Sequence, residues 1–268
     1  VFRQRDLDRS KRRLQALGFF DSVEVTPEKT EDGQAVDVLV KVHEQPTWIF
    51  NVAPAYVANE GMIGIGVVAF RNFIGTGLAF SAIGQVSALR QLFDISLSEP
   101  RVLDTNVSLG TEVHRRRYGY PGFLVASQGG GLRGSFPIWK QLGASLGLTL
   151  DQVSVDLLGS DVKNADLQIP APTNAARNLV DTTLQWDGRD SALSPRNGVF
   201  AQLRAAYGGP LTASDISVVD GQANVRLFWT PVWNVTLKTN TMLGRVVSLD
   251  DRAVPLSERT FLGGFGSV

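Results

Sequence analysis

No cysteine occurs in the 268 residues of this chain. Disulfides, cysteine-ligated zinc and thiol catalysis are excluded, while the compartment stays open. Histidine is nearly as scarce: only His43 and His114 are present, too few and too distant in sequence to anticipate a metal or catalytic centre. Net charge is also lacking, because 26 basic residues are balanced by 26 acidic ones, so no global field points to nucleic acid. No apolar run approaches the roughly 18 residues of a membrane helix. The most apolar run, Met62 to Phe70, is broken by Gly64 and Gly66. If such a chain crosses a membrane, it does so as a closed β-barrel. No signal peptide is visible, and without an initiator methionine Val1 reads as the interior of something longer.

The composition shifts near Trp48. Residues 1–48 hold 17 of the 52 charged residues, leaving 35 for the other 220 positions, and glycine moves oppositely, from 2 to 25. The expected organisation is a small module over 1–47 followed by a large β region over 48–268. In the first, Leu7, Leu14 and Leu17 share a face of a helix over 5–17, with Gly18 as its stop. Strands follow at Ser22–Thr26 and through Val36, Val38, Val40 and Val42, separated by an Asp32-Gly33 turn.

From Ile49 the pattern has period two. It predicts eleven strands, near 49–57, 62–70, 77–86, 92–98, 105–113, 125–136, 142–154, 179–187, 199–207, 217–229 and 233–245. The pair at Val218–Leu243 is the clearest. Val219, Ala223, Val225, Leu227 and Trp229 oppose Gln222, Asn224 and Arg226; across a Thr230–Val232 turn, Trp233, Val235 and Leu237 oppose Lys238 and Asn240. The apolar face meets either a protein core or lipid. Connections after even strands are mostly short and those after odd strands include the longest, Val155–Asn178, which is the loop sorting of outer-membrane barrels. Phe70, Phe136, Trp139, Trp186, Trp229 and Trp233 fall at strand ends, as in an interfacial girdle. Pattern alone favours a membrane barrel over a soluble sandwich or a β solenoid.

Several stretches resemble the BamA family of outer-membrane assembly factors. Arg12-Arg13-Leu14-Gln15-Ala16-Leu17-Gly18-Phe19-Phe20-Asp21-Ser22-Val23 is similar to the second helix and following strand of a POTRA domain, and Val36-Asp37-Val38 through Val42-His43-Glu44 to its last strand. Arg71-Asn72-Phe73-Ile74-Gly75-Thr76-Gly77 resembles the turn between the second and third barrel strands. Asp187-Gly188-Arg189-Asp190 with Pro195-Arg196-Asn197-Gly198 resembles the periplasmic turn before the ninth. Glu258-Arg259-Thr260-Phe261-Leu262-Gly263-Gly264, then Ser267-Val268, resembles the approach to an inward-folded loop that continues in the family as Arg-Gly-Phe or Arg-Gly-Tyr.

The resemblance implies an all-β transmembrane antiparallel barrel, here eleven of an expected sixteen strands, preceded by a partial α/β POTRA domain; the chain is then a fragment. It implies an insertase without catalytic residues, metal or cofactor, in the bacterial outer membrane with the POTRA part in the periplasm. Its partners would be unfolded outer-membrane protein clients, accessory lipoproteins, the bilayer and lipopolysaccharide, and no nucleic acid. The first strand, Phe50-Asn51-Val52-Ala53-Pro54-Ala55-Tyr56, would form a lateral seam. Pro54 either weakens pairing there or sits where no hydrogen bond is lost. Alternatives are a TamA-like assembly factor or a two-partner secretion transporter, and, further off, a passive porin or a soluble β adhesin. Other features have plainer readings. Asp187 and Asp190 suit a capped turn better than an acid–base pair. Gly129-Gly130-Gly131 suits close strand packing better than a phosphate loop. His114, placed at the outer end of the fifth strand, reads as an exposed or lumen-facing polar residue. Arg115-Arg116-Arg117 reads as meeting anionic lipopolysaccharide head groups, or as solvated, in preference to nucleic acid.

Overall fold

A computed structural model of the chain describes residues 7, 11, 20–29, 36–44, 46–58, 60–120, 122–157, 174–232, 235–250 and 253–259. Of the expected helix over 5–17 only Leu7 and Lys11 are described, both helical, and the Asp32-Gly33 turn lies outside these residues. Two antiparallel strands come first, β1 (Phe20–Lys29) and β2 (Val36–Glu44). β1 exceeds the expected Ser22–Thr26 because its ladder with β2 continues to the pair Lys29↔Val36.

Eleven further strands form one antiparallel sheet in chain order: β3 (Trp48–Val57), β4 (Gly61–Phe70), β5 (Ala79–Val86), β6 (Arg90–Glu99), β7 (Ser108–Tyr120), β8 (Phe123–Pro137), β9 (Leu142–Leu157), β10 (Asn174–Asp187), β11 (Gly198–Gly208), β12 (Val218–Trp229) and β13 (Leu237–Ser248). Directly paired residues share a face. One register row crosses the whole sheet: Trp48, Phe70, Phe80, Leu97, Thr111, Leu132, Leu148, Val180, Tyr207, Val219 and Val247. Ten of these eleven side chains are apolar or aromatic. Moving one large apolar side chain out of water is worth about 1.5–3 kcal/mol, so a row of this length is costly in water and stabilising in lipid. On β9 this outer face is apolar from Leu142 to Leu150 and polar at Gln152, Ser154 and Asp156. That nine-residue band fits the roughly 9–11 residues of a membrane-crossing strand.

The opposite, inner face carries the buried polar residues His114, Asp151, Asp181 and Thr183. Its composition changes along the strands. On β9 it reads Gly143, Ser145, Gly147 and Thr149, then Asp151, then Val153 and Val155. At that last level two apolar clusters form, one of Ala175, Leu179, Ile216 and Val218, the other of Phe123, Val155 and Leu256. The inner wall is thus polar at one end, charged in the middle and apolar at the other.

The rim at which β3 begins, just after β2, carries an aromatic belt. Trp48, Phe70, Phe80, Phe136, Trp186 and Trp229 all lie at that end and on the outer face. Phe73 stacks on Phe80, with ring centroids 5.1 Å apart. Trp233 lies outside the described residues. Two turns on this rim are built alike: Phe73 N–H donates to Leu78 and Val102 N–H to Val107, while Thr76 and Thr105 hydroxyls donate back to Phe73 and Val102 carbonyls.

Two expectations need correction. The loops are not sorted by length. Connections on the belt rim span 71–78, 100–107, 138–141, 188–197 and 230–236, and those on the far rim 58–60, 87–89, 121–122, 158–173 and 209–217. Residues 115–124, expected as a loop, belong mostly to β7 and β8, which join through residues 121–122. The apolar alternation stops where lipid would stop, but the backbone ladder runs on. Likewise the last strand begins at Leu237, opposite Trp229, and not at 233. Val235 lies in the turn, its N–H donating to Val232 O, so it is not part of a lipid-facing strand.

In the full-length protein in a bilayer, a nitroxide label at Leu227 should be relaxed by oxygen and one at Arg226 by a water-soluble nickel reagent. The reverse pattern contradicts this assignment of faces.

Candidate functional site

The first candidate is the free edge of β3. Among the described residues this strand pairs only with β4. Arg71 N–H donates to Thr47 O at 2.8 Å, and the register continues as Trp48↔Phe70 to Val57↔Gly61. Hydrogen-bonded and non-bonded pairs alternate along an antiparallel ladder. Ile49, Asn51, Ala53 and Ala55 therefore bond β4, and Trp48, Phe50, Val52, Pro54 and Tyr56 turn their backbone groups to the free edge. Pro54, opposite Gly64, costs the β3–β4 ladder nothing; its missing donor falls on the open side. The same residues point outward as side chains, with Val52 69% and Tyr56 71% exposed. An apolar strand edge of this kind is a template for pairing with another strand.

The second candidate is the charged inner wall, which rests on two glycines. Arg133, Gly147 and Asp181 are register partners on β8, β9 and β10. Arg133 reaches over Gly147 to clasp Asp181 with both terminal nitrogens, at 2.9 and 3.0 Å. A Cβ on Gly147 would lie 2.6 Å from Asp181 Oδ1. Asp181 is only 1% exposed, so this bidentate partner is what makes its burial tolerable. Arg204 joins at 3.7 Å and bridges to Asp220 at 3.4 Å.

The second row runs His114, Gly129, Asp151 and Arg177 across β7 to β10. A side chain on Gly129 would collide with the Leu150 carbonyl and the Asp151 carboxylate. His114 Nε2 lies 3.1 Å from Asp151 Oδ1 but off the hydrogen-bond axis, so this contact is electrostatic. Arg177 Nη1 donates to Asp151 Oδ2 at 3.0 Å, and its Nε sits 2.8 Å from Glu258 Oε1. Here the chain beyond β13 returns to the wall: Leu256 is buried with Phe123 and Val155, and Glu258 caps the row. His114 is the seventh of the thirteen residues of β7 and buried on the inner face, not at a strand end. The strand continues past it to Tyr120, which the loss of apolar alternation had hidden.

The third candidate is the turn of 188–197. Asp187 pairs with Arg189 at 2.7 Å. Asp190 accepts the backbone N–H groups of Arg196 at 3.0 Å and Asn197 at 3.1 Å. The Arg196 N–H in particular holds the Asp190 carboxyl below the ordinary carboxylate range. Asn197 Oδ1 accepts Thr230 N–H at 3.0 Å, tying this turn to the next. Gly198, at φ +121°, closes it, and Pro195 lies within it. All the anticipated carboxylates of this turn are spent on turn geometry. It sits seven strands from β3, so seam and turn do not form one site. Phe261, Leu262, Gly263, Gly264, Ser267 and Val268 lie outside the described residues; the segment leading to them, 253–259, is the part seated on the inner wall. Among the described residues no three metal-ligating side chains converge. Sequence reasoning missed Arg133, Asp151, Asp181 and Arg177, because their meaning depends on cross-strand register. The available signal was glycine at 129 and 147 on strand faces that also carry Arg133 and Asp151.

Comparison with known proteins agrees with this architecture. Residues 72–268 match the Omp85 superfamily domain, and residues 1–45 match the POTRA family described as a surface antigen variable number repeat. The chain is 27% identical over 276 residues to the outer membrane protein assembly factor BamA of Nitratidesulfovibrio vulgaris, covering 100% of this chain and 34% of that protein. It is 23% identical over 266 residues to the sorting and assembly machinery component 50 homolog B of Xenopus laevis, covering 97% of this chain and 56% of that one. The crystal structure of BamA from Haemophilus ducreyi lacking POTRA domains 1–3 superposes with a TM-score of 0.78 at 19% identity, covering 97% of this chain and 52% of that one. The chain thus spans between about a third and just over half the length of these relatives.

Replacing Gly129 by valine should push Asp151 off Arg177 and release the 253–259 segment. Losing one buried charged partner set costs about 1–3 kcal/mol, so limited proteolysis there should quicken roughly tenfold. Gly147→Val should destabilise the barrel without exposing that segment. Equal exposure in both variants contradicts the seating of Glu258.

Proposed function

The chain belongs to the Omp85 superfamily, and from that premise we propose that it works as an outer-membrane protein insertase whose β3 edge is the lateral seam. It is not an enzyme but a homologue of β-barrel assembly factors. A client strand arriving at the seam meets edge-facing carbonyls on Trp48, Phe50, Val52, Pro54 and Tyr56, and N–H donors on all of these except Pro54. It adds to the sheet by β-augmentation. The missing donor at Pro54 keeps that pairing, and any pairing that closes the barrel, one hydrogen bond weaker. The free energy comes from the client, which satisfies its own backbone and moves its apolar face into lipid. No nucleotide, metal or covalent step enters.

The observation that carries this reading is the side on which Pro54 lacks its donor. The inner wall supports it. The apolar clusters around Val218 and Leu256, and the segment seated by Glu258, make the inner wall apolar toward the end opposite the aromatic belt, whereas the lumen of a passive pore is polar. The belt rim, where β1–β2 leads into β3, is the periplasmic one in this reading, with the turn of 188–197 on the same side. The POTRA part then takes clients or accessory lipoproteins by strand addition in the periplasm.

Pro54→Val in the full-length protein restores one edge donor worth about 0.5–1.5 kcal/mol. Disulfide trapping between β3 and the last strand of the barrel should become more complete, and client insertion into vesicles should slow roughly threefold to tenfold. If seam trapping and insertion are both unchanged, Pro54 is no part of a gate.

A further inference from the structure

The arginine run at 115–117 is divided by the pleat. Arg116 points to the inner wall, where its Nε donates to Asp94 at 2.9 Å. Arg115 and Arg117 are on the outer face, exposed, and among the described residues neither has a carboxylate within ion-pair distance. Along β7 the outer face reads Leu109, Thr111 and Val113, then Arg115 and Arg117. The row of Val113 continues as Ile95, Gly130 and Leu150; the row of Arg115 continues as Phe93, Gln128 and Gln152. The change from apolar to polar thus falls between these two rows on β7, β8 and β9, while β6 still carries Phe93 beside Arg115. Arg115 stands in the first row beyond the apolar band, at the rim opposite the aromatic belt.

That level decides what the arginines meet. On the lipid face an arginine is strongly disfavoured at the bilayer midplane and close to neutral near the interface. Beside head groups the cost becomes a gain, because a guanidinium pairs bidentately with phosphate. Arg115 and Arg117 are two residues apart on one strand, which sets their Cα atoms roughly 6.5–7 Å apart on the same face. They border a cleft of about 470 Å³ that Gln91, Gln128 and Ser154 also line, and these offer hydrogen bonds to hydroxyl-rich groups. Asp156, at its far edge, disfavours a second anion there.

We propose that this cleft binds a phosphorylated outer-leaflet glycolipid of the lipid A type, its phosphates on Arg115 and Arg117 and its sugar hydroxyls on the glutamines. Phe93, beside Arg115, supplies an apolar floor where the acyl chains begin. The assignment rests on the outer-membrane placement proposed above, and not on the seam. The site anchors the β6–β9 wall to the outer leaflet, three strands away from β3.

The test uses the full-length protein in phosphatidylcholine nanodiscs doped with equal mole fractions of lipid A or phosphatidylglycerol, read by native mass spectrometry after extraction. The wild type should retain lipid A over phosphatidylglycerol, and Arg115→Gln/Arg117→Gln should lose retention roughly thirtyfold, the scale of two head-group-level arginines. Arg115→Lys/Arg117→Lys, which keeps the charge and removes the fork, should lose retention severalfold, and it serves if the glutamine variant fails to fold. Equal retention of the two lipids overturns the glycolipid assignment. Unchanged lipid A retention in both variants overturns the site. Client insertion into phosphatidylcholine vesicles alone, measured on the wild type, tests the insertase reading separately.

Discussion

A backbone in hydrocarbon has no water to hydrogen-bond, so every N–H and C=O must find a partner in the protein. The eleven-stranded sheet meets this demand by pairing each strand with its sequence neighbours over long ladders, up to the fifteen paired positions of β8 and β9. The demand makes β3 consequential. It is apolar, exposed on its outer face and turned at alternate residues to an open side. One of those residues is a proline that cannot donate. Among the described residues β3 and β13 are the two edges of the sheet, and in the function proposed here it is at β3 that another chain supplies what is missing.

The same ladder organises the inner wall. Charges there cannot sit alone, because an unpaired buried carboxylate costs several kcal/mol. They pair across an intervening strand, and glycine makes the crossing possible. Arg133 passes over Gly147 to Asp181, and His114 faces Asp151 over Gly129. The second row then extends to Arg177 and Glu258, which brings the chain beyond β13 back to β9 and β10. One small residue, Gly129 on β8, thus leaves room for the row that joins the barrel wall to the segment approaching the inward loop. The outer face is simpler: apolar rows between an aromatic belt at one rim and polar residues at the other.

Much of this was legible in the sequence, for a physical reason. Period-two alternation reports the face of each residue independently of its neighbours, so Leu227 and Arg226, or Leu148 and Thr149, could be separated before any pairing was known. The strand count followed from the same signal. It failed where the solvent changes. Past Val113 both faces of β7 carry polar groups, and the continuing strand reads as a loop. At Val235 the alternation runs on into a turn, so the pattern sets the last strand four residues early. The charged rows were invisible because Asp151 and Arg177 acquire meaning only through register across four strands. The turn at Asp187–Gly198 was readable because its proline, glycine and aspartates act locally.

The most direct test of the seam is residue-resolved amide hydrogen exchange along β3 in the full-length protein in lipid. Asn51, Ala53 and Ala55, bonded to β4, should be protected. Phe50, Val52 and Tyr56, turned to the open side, should exchange faster, so that protection alternates with period two. Uniform protection along Phe50–Tyr56, equal to that of Leu146 and Leu148 in the middle of the sheet, would contradict a weak seam at this strand.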